Sequence, residues 1–412
     1  MNSINVKLQI RKIDYYYAIY FLIVLPFLFP AYFSESGSFK IVEFIVTYLS
    51  LGLMIIEIVR DREKQINYFP FFVLAIDYFV LIYSTLINKG ELGTTINTTI
   101  KKLLLCYIVG KVILNDIKTD SFLRAVRDIC VVIFFINLVS ELLYPMGIPS
   151  TTTSAATPHY FLGNVNSVIR AVLPGICCTI LINEKKNKKL SFSLIFFYIG
   201  FLYQFIYLYH SATTIVALIV ILAWIFFSEF IKKHLWTIYA VVIGIITYIQ
   251  INLVVMSSSP RLLNLLSTVF GKNLTFSGRL YIWERTLIQI YRNPVWGYGI
   301  QKSDTLNMII GNQFSAHNYF LDLVYQRGLI GLIFFLVLLA APLFLLRKES
   351  YVSMASYYLV GFQCSIMFMY LFEPFYSSEA RMLPILCSML LLLIREKRMP
   401  SGDISIGVSA KY

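Results

Sequence analysis

The sequence predicts an all-α polytopic membrane protein with about twelve transmembrane helices. Three observations predict it. Long apolar runs recur from Tyr16 to Ile394. The 412 residues are 58% hydrophobic and only 14% charged, with mean hydropathy +0.72, whereas soluble chains are about a quarter charged. The strand alternation of a membrane β-barrel is missing, so backbone polar groups must be satisfied within helices. No polar stretch is long enough for a soluble domain, and residues 1–412 read as a single integral membrane domain.

In order, the spans fall at roughly 15–33, 40–59, 68–88, 96–114, 122–144, 163–182, 190–208, 211–228, 235–255, 328–346, 351–372 and 378–394. The apolar run from 190 to 228 exceeds one span and divides at His210-Ser211. The run after Arg11 and Lys12 carries no small-residue cleavage site, so it reads as the first span and not as a signal peptide. Basic residues orient the set. With both termini cytoplasmic, the inside segments hold Lys7, Arg11, Lys12, Arg60, Arg62, Lys64, Lys118, Arg124, Arg127, the NEKKNKK cluster at 183–189, Lys232, Lys233, Arg347, Lys348, and REKR within the cytoplasmic tail 395–412. These are 20 of the 35 Lys and Arg, so more than half lie inside, as the positive-inside rule asks. This accounts for much of the net charge of +13 without a nucleic-acid partner. The six cysteines (Cys106, Cys130, Cys177, Cys178, Cys364 and Cys387) lie in or beside apolar spans without metal-ligand spacing, and read as packing thiols.

One segment departs from this charge pattern. The large external loop 256–316 holds Arg261, Lys272, Arg279, Arg285, Arg292 and Lys302 against only Glu284 and Asp304. A cationic external loop beside a membrane suits an anionic ligand; a solvated basic surface is the plainer alternative. Within it, FSGRLYIWERTLIQIYRNPVWGYG (276–299) reads as a helix N-capped by Ser277 and running to about Tyr291. Arg279 and Trp283 share one face, and Arg285 and Arg292 lie seven apart on another. Asn293-Pro294 ends the helix, and Gly297 and Gly299 form a tight turn. Arginine's planar fork of donors suits phosphate, although a generic interfacial helix looks similar.

Where the loop re-enters the membrane stands SAHNYFLDLVYQRGLIG (315–331). His317 can take a proton near neutral pH and is a candidate general base; an interfacial or capping histidine is the alternative. Asn318 and Asp322 are four apart on a helix, as are Asp322 and Gln326. His159, His210 and His234 lack such a setting. In HYFLGNVNSVIRAVLPG (159–175), Arg170 lies about two turns inside an apolar helix, in reach of a ligand or of snorkelling to the surface. Asp77 and Glu141 within spans are the best support for a transporter, such as a lipid-linked oligosaccharide flippase. There is no Asp-x-Asp, P-loop or Gly-x-Ser-x-Gly, and the cytoplasmic loops are short. Chemistry is therefore expected outside, without metal or cofactor, driven by a leaving group already on the substrate.

Together these features resemble the O-antigen ligase and Wzy-type polymerase superfamily, which handles polysaccharides built on undecaprenyl diphosphate. The resemblance rests on Ser277-Gly278-Arg279 with Trp283, and on Asn293-Pro294 with Gly297 and Gly299. It also rests on His317-Asn318 followed after nine residues by Gly328 and Gly331, and on Gly163 with Asn166 before a span. It implies a GT-C-like membrane fold in the bacterial cytoplasmic membrane. The implied reaction is metal-independent, inverting glycosyl transfer from an undecaprenyl diphosphate-linked glycan donor to a glycan acceptor in the lipid bilayer. A flippase and a chain-length regulator would be partners. His317 would be the base and Arg279 would bind the diphosphate. Asn318, Asp322, Trp283, Asn166 and Arg292 would support the substrates. The family's Ser-Arg at the start of a middle span is here His210-Ser211-Ala212-Thr213, so the second diphosphate-binding arginine is open between Arg170 and Arg285. Polymerase and ligase share donor and chemistry; the AT-rich character of the composition favours polymerase.

Overall fold

The computed structural model describes residues 14–35, 39–60, 68–149, 158–188, 190–208, 211–255, 279–312, 315–347 and 354–372. These residues form α1 (Asp14–Leu28), α2 (Ala31–Glu35), α3 (Lys40–Arg60), α4 (Tyr68–Ile87), α5 (Leu92–Ile113), α6 (Asp116–Leu143), α7 (Val165–Lys185) and α8 (Phe192–Tyr207). They continue as α9 (Ala212–Phe226), α10 (Ser228–Lys233), α11 (Leu235–Ile249) with a π-helical end at Gln250–Val255, α12 (Arg279–Arg292), α13 (Ser303–Ile310), α14 (Tyr319–Arg347) and α15 (Met354–Tyr370). No strand occurs among the described residues.

Four of these helices are long and apolar enough to cross a membrane: Lys40–Arg60, Asn166–Lys185, Leu235–Asn252 and Tyr319–Ala341. Asp14–Leu28, Phe71–Ile87, Phe192–Tyr207 and Thr213–Phe226 are apolar but shorter. The expectation of about twelve spans is thus met in full length by four helices among the described residues, and the expected span at 378–394 lies outside them. The division of the 190–228 run into two helices is observed, with Ser211 capping α9 through the Thr214 N–H. His210 and Ser277 lie outside the described residues.

Burial sorts the helices. The most apolar stretch of α7 is 78% buried, against 22% for α3 and 17% for α11. On α3, Ile41, Phe44, Ile45, Leu49, Ile55 and Ile56 all face outward. An apolar face of that size is stable against acyl chains and not against water. At the centre, α6 and α7 approach closely because Gly175 leaves no room for a Cβ beside Cys130. Trp224 of α9 donates to the Tyr357 carbonyl at 3.1 Å while Tyr357 donates back to the Trp224 carbonyl at 2.5 Å, which locks α9 to α15. Five of the cysteines are free thiols buried in this packing.

The two intramembrane acids are accounted for within the fold. Asp77 of α4 pairs with Arg327 of α14 at 2.5 Å, and Arg327 also lies over the Tyr78 ring. Glu141 of α6 accepts from Asn137 at 2.6 Å and from Gln204 of α8 at 2.7 Å. Both therefore tie helices together.

The large external loop ends differently from the sequence expectation. Helix α14 begins at Tyr319, nine residues before the expected span, because Asn318 caps it by accepting the Leu321 N–H at 3.0 Å. The helix then breaks at Gly328, whose φ of 62° and ψ of −166° suit glycine alone. Gly328 and Gly331 have separate tasks. Gly328 makes the break, with the Val295 carbonyl lying where a Cβ would be, and Gly331 leaves space for the Arg327 side chain.

A break exposes backbone groups, and the 294–300 turn satisfies them. Tyr298 and Gly299 donate to the carbonyls of Tyr325 and Gln326 at 2.7 and 2.9 Å, and Leu329 donates to the Pro294 carbonyl at 2.7 Å. The other side of the turn is held by α4: Ser84 donates to the Trp296 carbonyl, Asn88 to the Gly297 carbonyl at 3.0 Å, and Thr85 accepts the Ile300 N–H at 3.0 Å. Asn293 closes the turn on itself through the Gly297 carbonyl at 2.7 Å.

Arg327→Ala removes the cation from a pair whose side chains are only 4% and 6% exposed, so it should cost about 3–5 kcal/mol. Thermal unfolding in detergent should show the loss. The joint replacement Asp77→Leu with Arg327→Met should recover most of it; a double variant no better than Arg327→Ala would show that the pair is not the cause.

Candidate active site

Helix α12 is amphipathic, and its buried face carries Ile282, Trp283 and Thr286. With Leu306 and Ile310 of α13, Val254, Ala316, Leu321 and Tyr325, these residues form a second, smaller core beneath the external loop. Trp283 is fully buried and donates its indole N–H to the Ala316 carbonyl at 2.9 Å. Asp322, one turn into α14, accepts the Ala316 N–H at 2.8 Å. Both polar groups of the residue before His317 are therefore clamped, one from each helix. The Ser315 hydroxyl accepts the His317 N–H at 3.2 Å. These bonds hold His317 at φ 52°, a left-handed conformation that costs a non-glycine residue free energy of order 1 kcal/mol. They also fix where its imidazole points.

Asn318 is fully buried. Besides capping α14, it donates to the Leu371 carbonyl and to Gln250 Oε1, each at 2.9 Å, and accepts from Gln250 Nε2 at 3.3 Å. Gln250 stands where α11 passes into its π-helical end. Asn318 and Asp322 thus bond to backbone groups beside His317 and not to its imidazole.

Arg279, in the first turn of α12, donates to the Phe372 carbonyl at 2.6 Å. Arg170 donates to the Ser167 hydroxyl at 2.7 Å; Ser167 in turn donates to Asn164, which caps α7 by accepting the Ser167 N–H at 3.0 Å. Although 109 residues apart in sequence, Arg279 and Arg170 both act electrostatically on His317. Burial and the charges of these two guanidinium groups push its pKa down to about 4. His317 is therefore a neutral imidazole at neutral pH.

Arg285 is placed elsewhere. Its guanidinium donates to the carbonyls of Ile309 and Met308 at 3.1 and 2.9 Å and to the Tyr281 hydroxyl, which fastens α12 to the C-terminal end of α13. Of the two arginines left open by the sequence, Arg170 is the one whose charge reaches His317. Arg292 is exposed at the end of α12, and Asn166 lies half-buried in the first turn of α7.

Residues 190–336 match the family model described as O-antigen ligase. The matched segment contains α8, α9, α11, α12, α13 and His317, whereas Arg170 and the carbonyls of residues 371 and 372 lie outside it. The chain is also similar to an uncharacterized protein of Haemophilus influenzae, 26% identical over 145 residues, or 30% of this chain. That match covers 35% of the relative's length. No solved structure matches the chain.

Sequence reasoning missed the residues that act at short range on His317 and Arg170. The Asn164-x-x-Ser167 cap was readable as a helix-start pattern. Asn312, Ser315 and Gln250 gave no such signal, because their partners are set by the fold.

Trp283→Phe keeps the ring in the small core but removes its bond to Ala316, and should cost about 1–3 kcal/mol. Trp283→Ala should cost about 3–5 kcal/mol by also opening a cavity. Thermal unfolding of the purified variants tests the order; a Trp283→Phe protein as stable as the parent would mean that the Ala316 bond adds nothing.

Proposed function

We propose that the protein is a polysaccharide polymerase. It joins undecaprenyl diphosphate-linked oligosaccharide repeat units on the external face of the bacterial cytoplasmic membrane by metal-independent, inverting glycosyl transfer. The observation that carries this reading is a histidine held in a left-handed conformation at the start of α14 and kept neutral by burial and by the charges of Arg279 and Arg170. The match of residues 190–336 to the O-antigen ligase model gives independent support. In this reaction the acceptor hydroxyl attacks the anomeric carbon of the donor, His317 takes its proton, and the C1–O bond to the diphosphate breaks with its electron pair. The two guanidinium groups stabilise the charge that builds on the leaving diphosphate, the task a metal performs in other glycosyltransferases. A ligase that moves the glycan to another acceptor would use the same site. The transporter reading loses its main support, because Asp77 and Glu141 are engaged in helix-to-helix contacts.

Purified protein given a lipid diphosphate-linked repeat unit should form a ladder and release undecaprenyl diphosphate in the presence of chelator. His317→Ala and Arg279→Ala should each lower turnover by a factor on the order of 100. A His317→Ala protein of normal turnover would remove it as the base. In a deletion strain, single repeat units still reaching an acceptor would identify a polymerase, and untransferred polymer a ligase.

The pH dependence has a definite sign. The free-enzyme limb, read from kcat/KM, should fall only as pH drops through about 4. Bound diphosphate places negative charge between the two arginines and raises the His317 pKa, so the limb of kcat should lie at higher pH. Identical limbs would separate the diphosphate site from His317.

A further inference from the structure

His317 has one side-chain partner that neither the sequence nor the family match singles out. Asn312 Nδ2 lies 3.2 Å from His317 Nε2, and Asn312 Oδ1 accepts the Ser315 N–H at 3.2 Å. The second bond decides the first. An amide whose oxygen faces a backbone N–H must present its nitrogen, a donor, to the ring. Nε2 therefore accepts, and the single proton of the neutral imidazole sits on Nδ1. Two left-handed residues stand at this site: Gly311 ends α13 at φ 77° just before Asn312, and His317 itself stands at φ 52°.

We propose that Asn312 is a positioning residue for the His317 base. It selects the Nδ1–H tautomer and keeps the Nε2 lone pair at the point where an acceptor hydroxyl donates. This rests on the glycosyl-transfer reading above. In the resting state the amide N–H occupies the lone pair at a long distance, so an incoming O–H can take its place. The acceptor proton then moves to Nε2 as the acceptor oxygen bonds to the anomeric carbon and the diphosphate leaves with the C1–O electron pair. The imidazolium formed carries protons on both ring nitrogens. The charged groups around the ring are Arg279 from α12, Arg170 from α7 and Asp322 from α14, the last held on the Ala316 N–H. None of the three bonds selects between the ring nitrogens as Asn312 does.

Two variants of the full-length purified protein test this, with histidine carbethoxylation by diethyl pyrocarbonate read out peptide by peptide from about pH 4 to about pH 8. Asn312→Ala uncovers Nε2, and labelling of His317 should be several-fold faster than in the parent. Asn312→Asp keeps the acceptor to Ser315 but sets a carboxylate beside the ring, which should raise the labelling midpoint of His317 by about one pH unit or more. In the glycan assay, Asn312→Ala should lower kcat about 10-fold with the donor KM held, and Asn312→Asp should move the acid limb upward. A merely structural asparagine would leave that limb in place. Equal labelling rates and equal midpoints in all three proteins would overturn the proposal. A parent protein that forms no glycan product would instead sink the glycosyl-transfer reading, and the labelling of His317 reports on Asn312 independently of it.

Discussion

The break in α14 at Gly328 is the constraint on which the placement of α12, α13 and His317 depends. A helix inside a membrane has no water to satisfy the backbone groups that a break exposes. Here the Asn293–Ile300 turn supplies the missing donors and acceptors, and the end of α4 holds that turn from the other side. The buried Asp77–Arg327 pair joins the same two helices at the same level. The loop is therefore fixed at its centre, and α12, which leads directly into the turn, has a defined place above the membrane helices.

From that fixed point the site assembles by short steps. The position of α12 sets Trp283, and Trp283 with Asp322 holds both polar groups of Ala316. Ala316 and Ser315 then hold His317 in a strained conformation. The strain is local and is carried by groups buried in the second, smaller core. In the glycosyl-transfer reading, a histidine positioned in this way loses little freedom when a substrate arrives.

Electrostatics and burial act in the same direction on that histidine. Partial burial and the charges of Arg279 and Arg170 make protonation of the imidazole unfavourable, so the ring stays neutral. In the glycosyl-transfer reading, the same cations bind the leaving group. Filling the anion site would then strengthen the base, and the two halves of the reaction would be coupled through space. The C-terminal end of α13 draws Arg285 away from this cluster, so a basic loop does not act as one uniform patch.

The sequence by itself determined the membrane class, most helix positions and the residues with chemistry to offer. Apolar length, charge placement and turn residues are local properties, and a bilayer reads them directly. It also marked His317, Arg279 and Trp283, because polar groups beside apolar runs need a reason. The tertiary structure decided which of these meet. The charges of Arg170 and Arg279, far apart in sequence, both reach His317, while Arg285, closer in sequence, turned to carbonyls of α13. Gly328 became a helix break instead of a packing contact because the loop turn was there to satisfy the freed backbone. Asn312 became a partner of His317 only in the fold, 3.2 Å from its Nε2. Side-chain identity is written along the chain, but hydrogen-bond geometry and electrostatic coupling depend on distances that only the folded chain sets.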